Sequence, residues 1–105
     1  MDAITLLQKL PAAFQPAAAA GTSAVVQFNC STPYFATIAD GRCTVTAGSS
    51  PDANVTLTIG DEDLVALLTG ELSGMSAFMT GKLQLEGDIM LAQRIGSFFD
   101  AAKLG

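Results

Sequence analysis

The chain of 105 residues has no histidine, no tryptophan, one tyrosine and two cysteines. Without imidazole, no unperturbed side chain titrates near pH 7. A Ser–His or Cys–His pair and a nitrogen ligand for a metal are excluded with it. Cation is scarce as well: five Lys and Arg stand against ten Asp and Glu, a formal charge of −5. Nucleic acid is a poor partner for such a chain, because phosphate neutralisation needs a basic surface. Anionic membranes are equally poor. Two cysteines are too few for a disulfide framework. No apolar run approaches the ~20 residues that cross a bilayer, so no stable membrane insertion is expected. Met1-Asp2, with Lys9 and Pro11 interrupting the first apolar stretch, does not fit a secretory leader, and a cytoplasmic location is expected. Ala102-Lys103-Leu104 resembles a peroxisomal tail, but Gly105 follows it. No cofactor is expected.

Apolar surface is abundant. Half the residues are hydrophobic, 14% are charged, and the mean hydropathy is +0.42. The composition predicts one ordered domain over residues 1–105, greasier than a core of this size requires.

Periodicity divides the chain into helices and strands. Residues 2–10 read as a helix capped by Asp2, with Leu6, Leu7 and Leu10 on one face and Pro11 ending it. Pro16, Ala17 to Ala20 and Gly21 predict one more helical turn. From Ala24 the pattern alternates, giving strands 24–30, 34–39 and 42–47. Asp40-Gly41 fits a type I′ hairpin pairing Ala39 with Arg42 and Ile38 with Cys43. A tight turn at residues 31–33 places Cys30 opposite Tyr34 and Val26 opposite Ile38. Val26, Phe28, Cys30, Tyr34, Ala36, Ile38, Cys43, Val45 and Ala47 then share the inner face, with Gln27 and the threonines on the outer, wet one. Cys30 and Cys43 are expected to be free, buried thiols, too far apart to bridge.

A fourth strand, 54–59, alternates Val55, Leu57 and Ile59 with polar residues. Asp61-Glu62-Asp63 opens a helix whose stripe is Leu64, Leu67 and Leu68; acids in a first turn suit the helix dipole, and no metal site is expected there. Ser73 caps a short helix with Met75, Phe78 and Met79. Strand 82–86 turns Leu83 and Leu85 inward and Lys82, Gln84 and Glu86 outward. Asp88 caps a last helix carrying Leu91, Ile95, Phe98 and Phe99. The fold class is α+β: a five-stranded, mostly antiparallel sheet with helices covering one face. Asn29-Cys30-Ser31 and Asn54-Val55-Thr56 match the glycosylation sequon, but both asparagines fall in expected strands.

The segments Asn54 to Leu64, Leu67 to Leu72, Ala77 to Leu83, Glu86 to Asp88 and Leu91-Ala92, taken in order, resemble the sterol carrier protein 2 family of lipid-binding domains. Ala13 to Gly21, Ala24 to Phe28 and Ile38 to Val45 are similar too. The resemblance covers nearly the whole chain. It implies a sheet with helices on one face and a tunnel between them for sterol, fatty acid, fatty acyl-CoA or phospholipid. Carried over onto this sequence, the lipid-lining positions are Leu57, Leu64, Leu68, Phe78, Met79, Leu83, Leu85, Leu91 and Ile95. Met90 stands where the family often has Gly, and Gly96 where it often has Gln. Met75, Met79 and Met90 read either as soft lining or as ordinary core. Phe98 and Phe99 read either as a mobile cover or as a docked helix end. The expected role is that of a non-enzymatic lipid carrier. The alternative is an accessory or assembly module, as in ubiquinone biosynthesis, that docks a protein partner or forms a homodimer.

Overall fold

The computed structural model describes residues 3–100. In chain order the elements are α1 (Ala3–Ala13), β1 (Ala24–Asn29), β2 (Tyr34–Ala39), β3 (Arg42–Ala47), β4 (Val55–Ile59), α2 (Asp61–Leu68), α3 (Gly74–Met79), β5 (Leu83–Gly87) and α4 (Ile89–Phe98). The strands form one five-stranded sheet in the order β3-β2-β1-β4-β5. Every neighbouring pair is antiparallel except β1 and β4, which run parallel.

The meander β1–β2–β3 follows from local chemistry. Asp40 and Gly41 both take positive φ, 54° and 72°, as a type I′ turn requires. Ile38 pairs with Cys43 and Ala39 with Arg42, as expected. The β1–β2 register differs from the expectation by two residues: Phe28, not Cys30, faces Tyr34, and Ala36, not Ile38, faces Val26. A slip of two keeps every side chain on its own face, so the core is unaffected. The cause lies in the turn. Ser31 donates its amide and its hydroxyl to Asp61, at 2.8 and 2.5 Å. Cys30 donates its thiol to the Thr32 carbonyl. Residues 30–33 therefore leave the ladder, and Cys30 is half-buried rather than buried, while Cys43 is buried; both are free. Asp61 adds a tie between the first hairpin and α2 to its position in the helix's first turn.

The parallel pair forces a crossover. β3 ends at one end of the sheet and β4 starts at the other, so residues 48–54 must run back across two strands. They lie over the face opposite the helices, and Gln27 holds them there. Its Oε1 accepts from the Ser50 amide at 2.8 Å, and its Nε2 donates to the carbonyls of Tyr34 and Gly48, both at 3.1 Å. Gln27 was expected on the wet face; the crossover buries it to 4% exposure. Such burial is tolerated because its polar atoms are hydrogen-bonded.

On the other face α1 packs against β3 and α2. Leu6, Leu7 and Leu10 are fully buried. The helix continues through Pro11 to Ala13 instead of stopping. Pro11 is exposed and sits in the last turn, so it removes one hydrogen bond while buried Leu10 and Ala13 hold the helix on the core. The Asp2 cap lies outside the described residues. Residues 16–21 form consecutive turns rather than a helix, with Ala18 N–H to Gln15 O and Ala19 N–H to Pro16 O; Gly21 reverses the chain at φ 76°. Phe98 and Phe99 are buried. The chain beside them pairs with the end of α1: Gln15 N–H to Phe98 O at 2.7 Å and Asp100 N–H to Ala13 O at 2.9 Å. The Phe14 and Phe99 rings meet at 5.8 Å. The aromatic pair is thus a docked helix end.

Candidate functional site

Of the lipid-lining positions named above, Leu57, Leu83 and Leu85 lie on β4 and β5, Phe78, Met79, Leu91 and Ile95 lie on α3 and α4, which pack against those strands, and Leu64 and Leu68 lie on α2, which packs against α1 and α3. Leu57 pairs with Leu85 and Ile59 with Leu83 across the β4–β5 ladder, which places four apolar side chains on one face. Leu57 and Leu83 are buried and Leu85 is half-buried. Gly87 closes this ladder opposite Val55 at φ 98°, where a Cβ would fall on the Asn54 carbonyl.

α3 and α4 cover these strands, and α2 packs against α1 and α3. Gly60 starts α2 without a side-chain cap, leaving the acids of its first turn to meet the dipole; Leu64 is fully buried and Leu68 half-buried. Asp88 caps α4 by accepting the Leu91 amide at 3.0 Å. Leu91 and Ile95, one turn apart, are both buried. Leu57, Leu64, Leu83, Leu91 and Ile95 therefore belong to one apolar cluster.

α3 behaves differently. Ser73 caps it, accepting the Ser76 amide at 3.1 Å. The helix has only six residues, and buried Ala77 takes its inner position. Phe78 is 53% exposed and Met79 78% exposed. Met75 and Met90 are exposed too, so none of these three methionines fills the core, and Ile89 is also open to water. Among the described residues, every exposed large hydrophobic lies between residues 75 and 90, around β5.

A second feature had no signal in the sequence. Gly21 to Ala24, Asn54, Asp88, Met90, Leu91 and Arg94 line a cleft of about 310 Å³. Its walls come from the turn before β1, the end of the crossover and the start of α4, segments that no local pattern links. Arg94 Nη2 donates to Thr22 Oγ1 at 3.3 Å, and its guanidinium lies 5.4 Å from the Phe98 ring centroid. Neither thiol is activated. Burial pushes Cys43 up to about 11. Cys30 is raised first by burial, with the Asp61 carboxylate adding to the shift.

Residues 4–100 match the SCP-2 sterol transfer family. Among curated proteins the chain is 44% identical over 64 residues to the peroxisomal multifunctional enzyme A of Dictyostelium discoideum. It is 39% identical over 70 residues to sterol carrier protein 2 of Rattus norvegicus. These alignments take in 61% and 64% of this chain but only 14% and 13% of the relatives. Among solved structures it is similar to the apo sterol carrier protein 2 of Yarrowia lipolytica, with TM-score 0.74 and 25% identity, covering 94% of this chain and 88% of that one. The palmitated SCP2L2 of Aedes aegypti matches with TM-score 0.75 and 25% identity, over 92% and 93%. A stereoselective inverting sec-alkylsulfatase, Pisa1 from Pseudomonas sp., shares the fold over 87% of this chain and 15% of its own, with TM-score 0.81 and 21% identity.

Proposed function

Because this chain belongs to the SCP-2 sterol transfer family, we propose that it is a non-enzymatic carrier of a hydrophobic ligand. The ligand class is sterol, fatty acid, fatty acyl-CoA or phospholipid, held between the inner sheet face and the helices. The observation that carries the reading is the clustering of exposed apolar side chains around β5, beside the buried Leu57, Leu64, Leu83, Leu91 and Ile95. Met75, Phe78 and Met79 stand within about one turn of α3, and large apolar side chains left in water together on a small domain mark a place where something apolar docks or enters. Leu68 and Leu85, half-buried, complete the inner wall, and Phe78 and Met79 stand at its outer edge. Uptake is driven by desolvation, worth about 0.8 kcal/mol for each CH₂ that leaves water. Apolar contacts discriminate chain length weakly, so the carrier accepts a range of lipids.

The test is binding of a fluorescent fatty acid or sterol to folded variants. Leu83→Gln puts an amide where no partner exists, and it should weaken binding far more than Lys82→Gln on the outer face. Native mass spectrometry with lipid extraction then identifies any co-purified ligand. If the folded wild type takes up no long-chain lipid at micromolar concentration, the carrier reading fails. Met75, Phe78 and Met79 would then be read as a surface for a protein partner or a second copy of the chain.

A further inference from the structure

The connection from β4 to β5 leaves the sheet and returns to it at one place. β4 ends at Ile59, β5 starts at Leu83, and these two residues are paired. Residues 60–82, which carry α2 and α3, are therefore an excursion that begins and ends on neighbouring strands. Lifting it from its seat breaks no strand pairing.

The excursion is bonded to itself. The Leu72 amide donates to the Ala66 carbonyl at 3.0 Å, which folds the loop after α2 back onto that helix. The Lys82 amide donates to the Ala77 carbonyl at 2.9 Å and closes α3. Among the described residues, no hydrogen bond between main-chain groups joins residues 60–82 to the rest of the chain. A segment built in this way opens as one cooperative unit.

Side chains keep it seated. Leu64 and Ala77 are buried, with α2 packed on α1 and α3 on β5. Gly60 gives α2 no side-chain cap. Instead Asp61 accepts the amide and the hydroxyl of Ser31, so the β1–β2 turn sets the angle at which α2 leaves the sheet. Glycines stand at both ends: Gly60, and Gly81 at φ 78° in open space. Hinges often fall on small residues where an element begins or ends. The candidate lipid wall is divided by these hinges. Leu64, Leu68, Phe78 and Met79 ride on the excursion, whereas Leu57, Leu83 and Leu85 stay with the sheet.

We propose that residues 60–82 form a hinged flap that lifts to admit the ligand, and that the Ser31–Asp61 tie holds it shut. The motion belongs to the fold; its role as a gate rests on the carrier reading above.

Two measurements test it. In amide hydrogen exchange without lipid, α2 and α3 should share one opening, reached more easily than that of β1 and β4. Stopped-flow uptake and release of cis-parinaric acid then read the gate. Ser31→Ala removes the hydroxyl donor to a carboxylate and should speed uptake and release by about tenfold each, with Kd held within about twofold. Gly60→Pro acts the other way. Gly60 already has φ −67°, and a Cβ there comes no nearer than 4.0 Å to Asp63, so proline stiffens the hinge and should slow both steps about threefold. Separate openings for α2 and α3, or α2 exchanging together with the strands, would overturn the flap. Unchanged rates in both variants while lipid still binds would overturn the gate and leave the carrier reading standing. So would a weaker Kd in Ser31→Ala with uptake unchanged, the mark of a merely damaged wall. If wild type takes up no lipid, the carrier reading falls and the gate with it.

Discussion

The two sides of the helical layer solve different problems. Over β3 and against α2, α1 buries Leu6, Leu7 and Leu10 completely, and its end is pinned by the bridge between Phe14 and Phe99. Over β5, the six-residue α3 buries Ala77 and leaves Met75, Phe78 and Met79 in water. Both sides are built from apolar sequence. The difference is what the apolar residues face: α1 spends its large side chains on the protein, whereas α3 spends a small one and keeps the large ones out. One half is a closed core and the other is an apolar surface backed by a core.

Substitutions can break or sharpen this contrast. The largest effect is expected for Leu7→Ala, which empties a fully buried site in the closed half and should cost about 3 kcal/mol by chemical denaturation. A loss below about 1 kcal/mol would mean that α1 is as loosely applied as α3.

Gly87→Ala asks whether the exposed half is poorly built or only uncovered. Its φ of 98° and the Asn54 carbonyl both oppose a Cβ, so about 2–3 kcal/mol should be lost. Gly81, at φ 78° with open space around it, should lose only about 1 kcal/mol on the same change. Equal losses at the two positions would show that the β4–β5 end yields to accommodate the clash.

Cys43 reports on the closed half through pH. Burial raises its thiol from the ordinary 9.0 to about 11. Between those values the folded state holds a proton that the unfolded chain has released. Stability contributed by the neutral thiol is therefore complete below pH 9 and is lost as pH rises toward about 11. Unfolding curves should show this fall in wild type and a smaller one in Cys43→Val. The smallest effect belongs to Met79→Ser, which should change stability by less than about 0.5 kcal/mol while raising solubility. A large loss of stability would place Met79 in a packed interface.

Much of this architecture is legible in the sequence because its signals are local. Asp40-Gly41 specifies its own turn, and the alternation in β4 and β5 specifies their faces. Ser73 and Asp88 cap the helices they precede. What is not legible depends on residues far apart in the chain. The β1–β2 register rests on Asp61 reaching Ser31 across 30 positions. Gln27 reads as a wet-face residue because nothing in residues 24–30 announces the crossover that covers it. Phe78 and Met79 carry the strongest family likeness yet point outward, because a short helix has room to bury only Ala77. The cleft around Arg94 draws on three distant segments, each unremarkable alone.

The parallel pairing of β1 with β4 has a consequence for how the chain is made. β1 lies at the centre of the finished sheet, between β2 and β4. During synthesis its β2 edge is satisfied almost at once, by a strand that begins at Tyr34. Its other edge waits for Val55 to Thr58. Until those residues leave the ribosome, Val26 to Asn29 present bare amides and carbonyls beside an apolar face, a template for pairing with another nascent chain. The crossover that Gln27 fastens delivers the missing strand after only a few residues, which keeps that interval of exposure short.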